Sequence, residues 1–267
     1  MESTNQSVAL IVGVTGMTGV ALTEALKMPA ALGGPWVVYG VSRRSLPSWF
    51  PSSLLNNHIM LDTLNQQQTH KILAPLSSQI THVFWVALQV NESEEVNISL
   101  NSTMLSNVLE ALTYIGNKYS WEHFWDMADA RVLAEQQIWA SVTDKANNEA
   151  FNCTNGDVFT WKMIWKVLCD AFGVEFVPFD EEENFDFVDF MKDKGEVWDT
   201  IVEEKGLYAT KMEEITCVDA LCQLLKLEIQ HVCSMNKSRE FGFHGYENTL
   251  KSIPEWVDRM RQMKILP

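Results

Sequence analysis

Apolar residues follow two alternating rhythms over the first 112 positions. Val8–Val12 is an unbroken apolar run, the length of a strand buried on both faces. Thr18–Lys27 has the helical period and is stopped near Pro29 and the pair Gly33-Gly34. Trp36–Val41, Asn57–Leu61 and Thr81–Ala87 read as strands, with a helix over Gln66–Leu73 before the last of them. Glu92–Leu112 reads as a long amphipathic helix, because Val96, Leu100, Met104, Val108 and Leu112 recur at helical spacing. This is a β-α-β-α-β pattern plus one more strand. It predicts a parallel sheet of order 3-2-1-4, the first half of a dinucleotide-binding fold.

The alternation then stops. Tyr114–Trp125 is aromatic and loop-like. Asp126–Trp139 is expected to be a helix capped by Asp126 or Asp129, with Val132, Gln136 and Trp139 near one face. Ala150–Cys153 reads as a short strand and Asn155-Gly156-Asp157 as a turn. Phe159–Phe172 reads as a helix burying Trp161, Ile164, Trp165 and Leu168. Val197–Glu204, Val218–Gln230 and Ile253–Met263 are further helices, and Asp180–Asp189 is an acidic face with buried phenylalanines. The fold class is therefore α/β: a Rossmann-like parallel sheet, first half complete and second half truncated, followed by a mostly helical lobe. The corresponding domains are residues 1–112 and 113–267.

The first strand runs into Gly13-Val-Thr-Gly16-Met-Thr-Gly19, a GxxGxxG turn that opens the first helix. Gly13 permits the turn, Gly16 lets the backbone approach a phosphate, and Gly19 lets the helix pack on the sheet. A strand–turn–helix of this kind holds the pyrophosphate of a dinucleotide on helix N–H groups. The expected cofactor-binding residues here are Gly13, Thr15, Gly16, Met17, Thr18 and Gly19. The second strand ends in Ser42-Arg43-Arg44, where an NAD site would place an acidic residue. Two arginines suit a 2′-phosphate, through charge-assisted bonds, so the expected cofactor is NADPH. Asp62 and Thr63, just after the third strand, complete the candidate set. Asp62 either accepts from the adenine amino group or caps the following helix.

Charge sharpens this reading. The chain has 20 basic and 35 acidic residues, a net charge of -15, so nucleic acid and anionic membrane are not expected partners. A basic pair against that background is the more informative. Of the five cysteines none forms a CxxC pair, and they sit among apolar residues. That pattern indicates free thiols in a reducing, cytoplasmic compartment. The N-terminus shows neither a signal peptide pattern nor a membrane span. His58, His70 and His82 share no metal-ligand spacing and read as surface or sheet-edge residues, and no metal site is expected.

A family resemblance rests on several of these segments. They are Gly13–Gly19, Val41-Ser-Arg-Arg44, Thr81-His-Val-Phe-Trp-Val86, Ala134-Glu-Gln-Gln-Ile-Trp139 and Asn148-Glu-Ala-Phe-Asn-Cys-Thr-Asn-Gly-Asp157. Trp161-Lys162, Trp165-Lys166-Val167, Met191-Lys-Asp-Lys-Gly195 and His231-Val-Cys-Ser-Met-Asn-Lys-Ser238 with Gly242-Phe243 extend it over nearly the whole chain. The sequence resembles the plant progesterone 5β-reductase/iridoid synthase family, short-chain dehydrogenase/reductase-like enzymes, and is most similar to the iridoid-synthase branch. The resemblance implies NADPH-dependent 1,4-reduction of a small enone or enal, such as progesterone or 8-oxogeranial, and a possible homodimer.

The chain departs from that pattern in one place. The family's catalytic lysine sits in a TGTKHY-type motif and its tyrosine in an NFYY-type segment, and the sequence contains neither. By the resemblance, roughly a hundred residues, including the second half of the sheet, are missing between the Glu92–Leu112 helix and Thr113. Tyr114-Ile-Gly-Asn-Lys118 spells the YxxxK spacing of short-chain dehydrogenases, but Gly116 and Asn117 oppose the helix which that spacing requires. No catalytic residue is therefore assigned. The alternative to an active reductase is a non-catalytic short form that binds NADP(H) or associates with full-length relatives. The strand around Val83–Val86, without its neighbour, is expected to become an apolar edge.

Overall fold

A computed structural model describes residues 6–63, 66–76, 79–87, 116–180, 187–214 and 216–267. Its elements in chain order begin with strand β1 (Ser7–Val12), helix α1 (Met17–Lys27), β2 (Trp36–Ser42), β3 (Asn57–Met60), α2 (Gln66–Leu73) and β4 (His82–Trp85). The helices that follow are α3 (Lys118–Glu122), α4 (Ala130–Val142), α5 (Trp161–Phe172), α6 (Phe187–Met191), α7 (Gly195–Lys205), α8 (Val218–Leu225), α9 (Asn236–Phe241) and α10 (Thr249–Gln262). The chain divides into two compact units. One takes Met1–Leu88, Ala128–Cys153 and Met235–Gly245, and the other takes Gln89–Met127, Thr154–Ser234 and Tyr246–Pro267.

The first unit is built on a four-stranded parallel sheet of order β3-β2-β1-β4. The predicted order is the observed one. β1 is buried on both faces, which is why its sequence is a continuous apolar run. Leu10 and Val12 join Val41, Ile59 and Leu61 in a cluster against Ile72 and Leu73 of α2. Ala9 and Ile11 alternate to the opposite face, and α1, which buries Leu22 and Leu26, packs against α4. β4 is the last of the described strands on its side. Phe84 is buried, while Val83 and Trp85 are 59% and 62% exposed, so the expected apolar edge is present among the described residues.

In the same unit α4 begins on Asp129, whose Oδ1 accepts the Arg131 backbone N–H at 2.7 Å. Of the two predicted caps Asp129 is the one used, and the helix starts at Ala130 rather than Asp126. Val132, Gln136 and Trp139, expected near one face, are all buried. No strand forms at 150–153. The Asn152 carbonyl there accepts from the Gln136 amide (2.9 Å) and the Ser238 hydroxyl (3.3 Å), so side chains take the place of a ladder partner. Helix α9, which supplies Ser238, was not predicted. Gly242, at φ 106°, closes it.

The second unit is helical around Trp165, Met191, Trp198, Leu225 and Leu266. Several expectations are corrected here. The aromatic stretch near Trp125 contains α3, because Asn117 and Ser120 form a reciprocal capping box. The helix expected at Phe159 begins at Trp161. Phe159 instead exchanges two backbone hydrogen bonds with Trp125 (2.8 and 2.9 Å), and Thr160 caps α5. On that helix Ile164 and Trp165 are buried, whereas Trp161 and Leu168 are only partly so. Helix α8 stops at Leu225 instead of Gln230, and α10 starts at Thr249 on an Asn248 cap instead of at Ile253. The predicted helix Glu92–Leu112, the proposed boundary at 112 and residues 181–186 of the acidic face lie outside the described residues.

Candidate cofactor site

Parallel register brings the candidate residues to one edge. Val12 pairs with Val41 of β2 and with Trp85 of β4, and Ser42 pairs with Met60 of β3. The carboxyl ends of the four strands therefore lie side by side, about 4.8 Å apart. Gly13–Gly19, Ser42–Arg44 and Asp62–Thr63 all leave the sheet at that edge. Backbone bonds knit the edge together. Gly13 N and Val14 N both donate to Val41 O (3.0 and 3.1 Å), Leu61 N to Ser42 O (2.9 Å) and Val86 N to Val12 O (2.9 Å). In doubly wound sheets this crevice is where ligands bind.

The three glycines have separable reasons. Gly13 has φ 95°, and a β-carbon there would lie 2.7 Å from the Ala87 nitrogen. The turn thus needs both a left-handed backbone and close passage beneath the end of β4. At Gly19 a β-carbon would strike the Gly13 carbonyl and lie 2.6 Å from the Val14 carbonyl, so α1 could not approach the turn. Gly16 is different. Its backbone is ordinary (φ -76°, ψ 163°), and a β-carbon would meet only the Gly13 oxygen at 3.5 Å. Space, not strain, is what glycine leaves at that position.

Gly16 is also the N-cap of α1. No side chain caps the helix, and its first turn contains no acidic residue. The N–H groups and the positive end of the helix dipole are therefore available to an anion. Met17 is exposed, and Thr15 and Thr18 are partly so. Arg43 and Arg44 are exposed beyond β2, Asp62 is exposed beyond β3, and Thr63 is half-buried.

One further residue organises this edge. Ser42 is buried, and its hydroxyl donates to Arg44 O at 2.7 Å. The same oxygen lies 2.7 Å from His58 Nε2. With the serine hydrogen committed to Arg44, His58 acts as the donor. Burial lowers the His58 pKa below the usual histidine value, favouring the neutral ring. His58 is the edge-strand residue expected from sequence, but its grip on the arginine turn was not foreseen. The signal would have been its β3 register opposite Gly40, two residues before Ser42.

The YxxxK spacing has no helical basis. Helix α3 begins at Lys118, behind Asn117 in extended conformation (φ -114°, ψ 173°), and Tyr114 lies outside the described residues. The five cysteines are free thiols, as expected. No helix among the described residues is long and apolar enough to cross a membrane.

Comparison with known proteins gives this edge a lineage. Residues 110–267 match the model of the PRISE-like Rossmann-fold domain. A 3-oxo-Delta(4,5)-steroid 5-beta-reductase of Arabidopsis thaliana is 31% identical over 366 aligned positions, covering 98% of this chain and 94% of the relative. The (S)-8-oxocitronellyl enol synthases of Camptotheca acuminata and Catharanthus roseus are 33% and 31% identical, each over 98% of this chain and 94% and 93% of their own. With the Arabidopsis relative, the 366 aligned positions exceed the 267 residues of this chain by 99, so at least that many of them hold no residue of it. Among solved structures, the Bordetella bronchiseptica enzyme WbmG in complex with NAD superposes with a TM-score of 0.55 at 12% identity, over 100% of this chain and 97% of its own. A Citrobacter triphenylmethane reductase complexed with NADP(H) does so at 0.52 and 13%, over 93% and 99%. At such identities these two speak for the fold alone, and it is the sequence matches over nearly the whole length that establish that the chain belongs to the PRISE-like Rossmann-fold family of oxidoreductases.

Proposed function

We propose that this chain binds NADPH across the carboxyl edge of its sheet, and that it is a short member of a line of NADPH-dependent enone and enal reductases that retains cofactor binding without turnover. The observation that carries the proposal is the meeting of an uncapped helix N-terminus, an open face at Gly16 and two exposed arginines on adjacent strand ends. These groups fit the cofactor's charge pattern. The N–H groups of Met17, Thr18 and Gly19 would hold the pyrophosphate. Arg43 and Arg44, with the turn held by Ser42 and His58, would take the 2′-phosphate. Asp62 and Thr63 would border the adenine side. When bound, NADPH supplies a hydride for delivery to an electron-poor double bond.

The doubt about turnover has its own support. The lysine and tyrosine motifs implied by the family resemblance do not occur in the sequence. Loss of one oxyanion donor costs about 10²–10³ in rate, and loss of substrate positioning adds to that. The 99 unmatched positions accord with a missing half of the sheet. The test is paired. NADPH and NADH binding are followed by fluorescence and calorimetry, and NADPH oxidation is followed by absorbance with 8-oxogeranial and with progesterone. Binding that favours NADPH, without oxidation above the no-enzyme rate, is expected. Turnover of either substrate would sink the non-catalytic reading, and equal affinity for NADH would sink the assignment of the arginines. Sedimentation of the same preparation tests the homodimer that the family resemblance implies.

A further inference from the structure

Asp126, His231 and Cys233 come together in the helical unit. The carboxylate, the imidazole nitrogen and the thiol sulfur lie within 4.8 Å of one another. Residues 231–235 form no helix, and in an extended chain positions two apart face the same side, so His231-Val-Cys233 can present two donors together. The third donor comes from 107 positions earlier in the chain than Cys233. Asp126 is only 4% exposed at its side chain, while His231 is 60% exposed, which leaves one side of the cluster open to solvent.

The hydrogen bonding at this cluster is unequal. Oδ2 of Asp126 accepts the backbone N–H of Cys233 at 2.5 Å, which fixes the carboxylate. Oδ1 faces His231 Nδ1 at 3.9 Å, too far for a hydrogen bond. The Trp125 ring lies beside the imidazole, with centroids 6.3 Å apart and planes at 25°. A tetrahedral ion with arms of about 2.0–2.3 Å would set its donor atoms roughly 3.3–3.6 Å apart. Small side-chain rotations reach that spacing. The donor set is one carboxylate, one imidazole and one thiol, the mixture preferred by borderline divalent ions over Mg²⁺ or Ca²⁺.

We propose that Asp126, His231 and Cys233 bind a divalent transition metal of the zinc class, with water in the fourth position. Binding converts the Cys233 thiol to a thiolate and releases its proton to solvent. The other oxygen of Asp126, held by the Cys233 backbone, acts as the orienting contact that such ligands need. The remaining thiols are poor rivals. Burial pushes the Cys153 thiol up to about 11 and also raises Cys169, and Cys222 is buried. Cys217, half-buried, is the control.

The test titrates the full chain with Co²⁺ and follows thiolate-to-cobalt charge transfer and the visible bands of tetrahedral cobalt. Zn²⁺ is then added in competition with a chromophoric chelator. The wild-type chain should develop both bands and lose them to Zn²⁺. Cys233→Ser should abolish the charge-transfer band. His231→Ala, at an exposed position that should not disturb folding, should weaken affinity at least about tenfold, a loss that even outer contacts can cause. Cys217→Ser should leave the bands unchanged. Zn²⁺ should raise the melting temperature of the wild-type chain but not that of His231→Ala. Absence of the bands in the wild type, or their persistence in Cys233→Ser, would overturn the site.

Discussion

Gly13 and Gly16 stand three residues apart in one turn, and alanine at each should fail in a different way. At Gly13 the alanine keeps φ 95°, a conformation that costs an L-residue about 1–2 kcal/mol. Its methyl lies 2.7 Å from the Ala87 nitrogen, 2.8 Å from Ala87 Cα and 2.9 Å from the Val86 carbonyl carbon. All three are backbone atoms, so no rotamer relieves the clash, and the end of β4 must withdraw from β1. Overpacking of that kind costs about 1–3 kcal/mol. The sum is roughly 2–5 kcal/mol, a large share of a typical domain's stability and worth about 5–15 °C in melting temperature. At Gly16 the backbone is already ordinary and the nearest atom is 3.5 Å away. Alanine there loses only the N-cap preference, about 0.5–1 kcal/mol. Its methyl would occupy the face proposed for phosphate, so NADPH affinity should fall at least about tenfold, or 1.4 kcal/mol. Thermal unfolding by circular dichroism and fluorescence titration with NADPH read the two effects separately. The reasoning is refuted if Gly13→Ala melts within about 2 °C of the wild type, or if Gly16→Ala is destabilised as much as Gly13→Ala.

The other expectations concern charge, burial and pH. Replacing Arg43 and Arg44 together by alanine should weaken NADPH by about 10–100-fold while changing NADH little, and 2′,5′-ADP should compete with NADPH for the wild-type chain but not for this variant; calorimetry measures both. The Thr249 hydroxyl is fully buried, donates to Asp157 Oδ1 at 2.5 Å and accepts from Asn155 Nδ2 at 2.9 Å. Thr249→Val should therefore cost about 2–4 kcal/mol, seen as a lower urea midpoint at constant slope, with Thr249→Ser largely spared. Burial holds the folded His58 pKa below its unfolded value, so the unfolded chain binds the extra proton first and stability should fall as pH drops below about 6.5. Urea midpoints compared between pH 7.5 and 5.5 should show a smaller fall in His58→Gln than in the wild type.

Sequence alone revealed the elements whose cause is local. β1 announces itself because burial on both faces demands an unbroken apolar run, and Gly13 because only glycine takes φ 95° beside a passing strand. The start of α4 was narrowed to two aspartates by cap chemistry, and Asp129 won because its carboxylate reaches both the backbone and the side chain of Arg131. The failures have the opposite character. The β-like run Ala150–Cys153 lost its ladder to Gln136 and Ser238, residues that no local window contains. Phe159 left its predicted helix to pair with Trp125, a strand contact of one residue pair. Helix α3 is hidden because Gly116 and Asn117 oppose a helix when they lie inside one, whereas here Asn117 stands at the N-cap and forms the capping box with Ser120.

The same division between local and distant causes runs through function. Every group assigned to the cofactor lies at the end of β2, in the turns directly after β1, β2 and β3, or in the first turn of α1, so adjacent parallel strands and the helix after β1 suffice to assemble it. In a sheet of this order the crevice opens between β1 and β4, and a dinucleotide spans it, with one half over β1–β3 and the other beyond β4. The described residues supply the first half with the uncapped amides of the α1 N-terminus and two exposed arginines, the groups proposed to hold phosphate. On the other side they end at β4, where Val83 and Trp85 face outward. Phosphate contacts supply much of the affinity for a charged ligand, whereas rate depends on groups placed at the reacting atom. On the proposed assignment affinity and turnover would rest on opposite sides of β1, and deleting one side of the sheet would remove the second without requiring loss of the first.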